Sequence, residues 1–94
     1  MFYLLEEYES ELLWSGDIFR VFIRDKSENY YIDQVVDFII FETMDKERSL
    51  GLLSISGYKA GKIAFIFPKE AFKKDTIYSL DKNWIEKNIY DYLY

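Results

Sequence analysis

The chain contains no cysteine and no histidine. The first absence removes disulfides, thiolate metal sites and cysteine nucleophiles; the second removes the commonest metal ligand and the commonest general base. Most familiar hydrolase constellations are thereby excluded. Proline occurs once and glycine four times, and no stretch reads as a linker, a repeat or a low-complexity tract. No apolar run approaches the ~20 residues that span a bilayer. The amino terminus, Met-Phe-Tyr-Leu-Leu followed by Glu6 and Glu7, lacks the basic start of a secretory signal. A soluble, cytoplasmic protein with no membrane partner is expected.

What is present is apolar and aromatic: 50% of the 94 residues are hydrophobic and 20% are Phe, Trp or Tyr. A chain of this length makes one domain, 1–94, and such a composition excludes disorder. Positive charge is the scarcer sign. The net charge of −5 divides into −8 over residues 1–47 and +3 over residues 48–94. An acidic front half repels nucleic acid phosphates and favours a basic protein partner.

Leu5, Tyr8, Leu12 and Leu13 recur at helical intervals between acids, which predicts an amino-terminal helix stopped by Gly16, although Phe2 to Leu5 could equally start as a strand. Ile18 to Arg24 alternates, with Phe19, Val21 and Ile23 on one face and Arg20 and Arg24 on the other, broken only by Phe22. That is a half-buried strand. Tyr30 to Thr43 makes a long second strand, with Val36, Phe38 and Ile40 opposite Asp37. Leu50 to Ile55 and Lys62 to Phe67 flank Ser56-Gly57-Tyr58-Lys59-Ala60-Gly61, a hairpin whose glycines supply positive φ. The last strand looks apolar on both faces, which predicts a central position. Pro68 opens a short helix through Phe72, and Asp81 caps a final helix bearing Trp84, Ile85, Asn88, Ile89 and Tyr92 on its sheet-facing side. The expected fold is α+β: an antiparallel meander of about four strands covered by helices from both chain ends.

Gly57 to Ile63 superficially suggests a phosphate loop, but the glycines are one residue too close and Ile63 stands where a hydroxyl should hold magnesium. A hairpin turn explains it better. Asp33 and Asp37, or Glu6, Glu7, Glu9 and Glu11, could pair for acid–base work or hold a hard cation, yet so small a domain has little room for a cleft. They read as a solvated acidic face. No catalytic residue, cofactor site or metal site is expected. Tyr30, Tyr31, Tyr58, Tyr90, Tyr92 and Tyr94 outnumber what the core can take, and exposed tyrosine is interface chemistry. Trp14 and Trp84 read as core.

Leu13-Trp14-Ser15-Gly16 with Phe19-Arg20-Val21, then Ser56 to Gly61, Pro68-Lys69-Glu70, and Trp84 with Asn88 form a pattern over most of the chain. It resembles the immunity protein 45 group of bacterial polymorphic-toxin and contact-dependent growth-inhibition systems. The resemblance implies a non-enzymatic protein that binds and blocks the carboxy-terminal domain of one cognate toxin in the cytoplasm. An acidic half and surplus tyrosines fit a basic nuclease as that toxin. Glu6, Glu7, Glu9, Glu11, Asp33, Asp37, Tyr58 and Tyr90 are the candidate toxin-binding residues. A structural or adaptor module forming homo-oligomers through its tyrosine-rich carboxy terminus is the alternative.

Overall fold

The strongest alternation in the sequence becomes the centre of a sheet. A computed structural model describes residues 3–27, 30–46, 48–57, 60–74 and 76–93, with side chains described at these positions except 3, 23–27 and 30–34. β1 (Tyr3–Leu4) precedes a single 3-10 turn at Leu5–Glu7, and β2 (Leu12–Trp14) follows. β3 (Ile18–Ser27), β4 (Tyr30–Glu42), β5 (Leu50–Ser54) and β6 (Ile63–Ile66) form the antiparallel meander, with β1 added in parallel along the edge of β3. A second 3-10 turn, Lys69–Ala71, leads to β7 (Ser79–Asp81), which pairs with β2 in a small separate sheet. The chain closes with α1 (Lys82–Tyr92).

The fold is α+β as expected, with one correction at the amino terminus: the helix expected there is only the 3-10 turn at Leu5–Glu7, after the short strand β1. Leu5 enters the core from the 3-10 turn, Leu13 lies opposite Leu80 in the second sheet, and both leucines of that pair are fully buried. Helical spacing lost to pairing at a distance, aided by the Ser10 hydroxyl, which donates to Leu12 O and accepts from Leu12 N–H and so offers the backbone a non-helical partner.

Side chains on the inner sheet face, Phe19 and Val21 of β3, Val36, Phe38 and Ile40 of β4, and Leu50 and Leu52 of β5, pack with Ile85 and Ile89 of α1. The Phe19 and Phe38 rings lie 6.1 Å apart. The outer face is set by the same register. Arg20 pairs with Asp37, Phe22 with Val35, and Phe41 with Gly51. Phe41 lies over Gly51: a Cβ there would come within 2.6 Å of its ring. Glycine is what lets that ring lie flat on the strand.

A second correction concerns β6. It is an edge strand, not a central one, and Ile63 is exposed. Its aromatic content serves the core at the carboxy-terminal end instead, where Phe65 meets Phe67 at 4.8 Å and Tyr92 at 5.1 Å. Pro68 precedes only a three-residue 3-10 turn. The final helix starts as expected, with the Asp81 carboxylate accepting from Asn83 N–H at 2.9 Å.

Candidate functional site

Six of the candidate residues have described side chains, and the fold gathers five of them. The acidic strip begins at the first 3-10 turn, where Leu5 is buried and Glu6 and Glu7 point to solvent. Two bonds hold the strip in place. Tyr8 donates its hydroxyl to Ile18 O at 2.5 Å, and Lys82 donates its backbone N–H to Glu11 O at 3.0 Å. The Lys82 ammonium adds bonds to the carbonyls of Tyr8 and Glu6, and an ion pair with Glu86 at 3.4 Å. Glu9 and Glu11 are exposed on the same stretch.

Lys82, Glu86 and Tyr90 follow at four-residue steps, which stacks them on one face of α1 beside the turn. Tyr90 is largely exposed, and its hydroxyl donates to Phe22 O at 3.1 Å. Partial burial raises the pKa of its phenol, and the negative charge of Glu6 raises it further. Glu6 and Tyr90, far apart in sequence, are thus electrostatic neighbours. The exposed acids and Tyr90 thus share one negatively charged patch on an anchored stretch of backbone.

Asp37 is placed differently. It lies on the outer sheet face, as the alternation predicts, but it is only 8% exposed. Its carboxylate takes Arg20 Nε at 2.8 Å and Nη2 at 3.2 Å, a bidentate pair that raises the Arg20 pKa above its ordinary value. Its charge is therefore spent within the sheet. Asp33 stands opposite Arg24 in the β3–β4 register, with its side chain outside the described residues, as Tyr58 is altogether.

The motif residues are mostly turn formers and core. Gly16 at φ +93° turns β2 into β3, supported by the Asp17 carboxylate, which accepts from Trp14 N–H at 2.8 Å. Gly57 and Gly61 have φ +83° and +86°. Asn88 donates its side-chain amide to Trp84 O one turn back at 2.9 Å. The tryptophans depart from expectation. Trp14 is half exposed, and Trp84 is only partly buried, its ring 6.4 Å from Phe67 and 5.4 Å from Tyr92.

Residues 5–94 match the Immunity protein 45 family. The chain belongs to that family. No curated protein and no solved structure matches it. Membership in an immunity family points to neutralisation of a cognate toxin by binding, and such families are typically non-enzymatic. Among the described residues no three acidic side chains converge on a metal position, and no helix is long and apolar enough to cross a membrane.

The candidate list omitted one region of this immunity protein. Lys46 and Arg48 face Lys69, Lys73 and Lys74 across a hollow of about 990 Å³. The signal for it in the sequence was the +3 of residues 48–94, with the adjacent Lys73 and Lys74.

Proposed function

We propose that this immunity protein neutralises a basic nuclease domain of its cognate toxin in the cytoplasm by laying the Glu6–Glu11 strip and Tyr90 against the toxin's cationic substrate groove. The observation that carries this reading is the anchoring of four exposed glutamates beside an exposed tyrosine on α1. A fixed row of carboxylates imitates the spaced charges of a nucleic acid backbone, and rim charges of this kind act mainly on the rate of association. Asp33 and Tyr58 extend the proposed contact. Asp37 joins it through its pair with Arg20, which fixes the outer face of β3 and β4 rather than presenting a free charge. Self-association through the carboxy-terminal tyrosines is less favoured, because the Tyr92 ring is already engaged with Phe65 and Trp84 within the chain.

The test is stopped-flow association of the full chain with the toxin domain encoded by the neighbouring reading frame. Wild-type association should slow as salt rises through physiological strength, where the Debye length is about 8 Å. Combined Glu6→Ala, Glu7→Ala, Glu9→Ala and Glu11→Ala should keep the thermal midpoint and slow association roughly tenfold or more. A rate that is flat with salt, together with undiminished protection of cells by the quadruple variant, removes charge complementarity as the mechanism.

A further inference from the structure

We propose that the hollow between the 43–49 loop and the 68–78 segment is a second binding site, which takes an acidic segment of a partner protein carrying a large apolar side chain between its carboxylates. It does not depend on the acidic strip or on what that strip meets.

Charge is the first observation. Lys46, Arg48, Lys69, Lys73 and Lys74 line the hollow, and Glu70 is the lone carboxylate among the described lining residues. Their sequence neighbours Glu47 and Asp75 would still leave an excess of positive charge. In a chain of net charge −5 this is a concentration against the general trend. Gathering like charges raises the energy of the folded state, so the cluster is stabilised most when an anion occupies it. None of these lysines is in an ion pair within the described residues.

Apolar exposure is the second. Ile77 and Tyr78 form a ridge shared by this hollow and a smaller one of about 500 Å³, whose wall also includes Met44. Met44 is 99% exposed and Tyr78 is 65% exposed. Methionine, tyrosine and arginine with a charged rim are the composition of interface centres, where an apolar contact supplies affinity and the rim supplies orientation.

The walls are already tied together, which limits the cost of ordering on binding. Ser49 donates its hydroxyl to Ile77 O, Arg48 Nη2 donates to Ile66 O at 2.5 Å, and Lys73 N–H donates to Ser79 O at 2.9 Å. The occupant follows from the form of the site. The lysines are exposed and spread along an open hollow, which suits carboxylates spaced along a chain rather than one phosphate held by converging donors. A nucleic acid would also meet the net negative charge of the rest of the surface.

The test is an amide-shift NMR titration of the full chain with a short peptide of alternating glutamate and phenylalanine. Parallel titrations use the same peptide with lysine for glutamate, inorganic phosphate, and single-stranded DNA. The acidic peptide should shift residues 44–48 and 69–78 and leave residues 6–11 unmoved. Combined Lys69→Glu, Lys73→Glu and Lys74→Glu, or Tyr78→Ala alone, should weaken the peptide roughly tenfold or more at an unchanged thermal midpoint. Lys→Gln at the same three positions gives an intermediate loss and serves if the reversal impairs folding. Absence of shifts at millimolar acidic peptide, shifts scattered over the surface, or an equal response to phosphate or DNA overturns the proposal.

Discussion

Phe38 and Phe22 lie on adjacent strands but on opposite faces, and replacing each by alanine should have very different consequences. Phe38 is 0% exposed in the core, its ring against Phe19, whereas Phe22 is 53% exposed on the outer face beside Val35. Phe38→Ala loses the transfer of a full aromatic ring and leaves a cavity, about 3–5 kcal/mol together. At roughly 0.05–0.15 kcal/mol per residue, the 94 residues give the fold about 5–14 kcal/mol in total. The change would therefore remove about a fifth of the stability or more. At roughly 4–8 °C per kcal/mol for a domain of this size, the thermal midpoint should fall by about 12–40 °C.

Phe22→Ala removes only a cross-strand contact on a wet surface and should cost under about 1 kcal/mol. Urea unfolding of both variants, followed by near-ultraviolet circular dichroism, gives the two midpoints directly. Equal slopes would show that the extent of the folded state is unchanged. If Phe22→Ala destabilises as much as Phe38→Ala, the outer face is covered in solution and the core is not one-sided.

Gly61 at φ +86° has open space where a Cβ would stand, so its replacement tests backbone conformation alone. Gly61→Val should cost about 1–3 kcal/mol in denaturant midpoint, while a D-alanine introduced there by synthesis should cost nothing; loss with both would point to packing instead. Tyr90 carries the pH prediction. Because burial and then Glu6 raise its folded pKa above the unfolded value, the neutral phenol contributes stability that is fully present below pH ~10 and is lost as pH rises through the folded value. Alkaline absorbance titration should show a late tyrosine that Glu6→Gln brings earlier, and an unmoved titration would separate the two residues.

The features legible in the sequence were those written in local periodicity. Alternation in Ile18 to Arg24 and in the stretch around Val36, Phe38 and Ile40 identified the inner sheet face, and Asp81 marked the helix start, because each depends on neighbours within a few residues. Phe22, the one break in the pattern, lies on the outer face with its ring half in water. The failures depended on distant partners. Leu12 to Trp14 forms a strand only because Ser79 to Asp81 lies beside it, and β6 is an edge although its composition suits a centre. Asp37 could be placed on its face, but its nearness to Arg20 required the β3–β4 register. The basic hollow was hidden for the same reason, since its cations come from segments twenty residues or more apart that the Ser49 and Arg48 bonds join.

Two oppositely charged regions on one small protein make the kinetics of a single variant informative. Reversing Lys69, Lys73 and Lys74 to glutamate moves the net charge from −5 to −11. If the toxin is basic and meets only the acidic strip, the added negative charge strengthens long-range steering, and association should become faster with dissociation unchanged. If the hollow holds an acidic segment of that same toxin, the reversal sets like charges in contact at short range. Dissociation should then accelerate, whatever happens to the association rate, because contacts within an interface act mainly on the lifetime of the complex. If the hollow serves a different partner, the toxin complex shows only the faster association, and the acidic peptide alone loses affinity. A reversal that slows toxin association while leaving dissociation untouched fits neither arrangement, and would show that the toxin is steered by the cationic end of the molecule rather than by the glutamates.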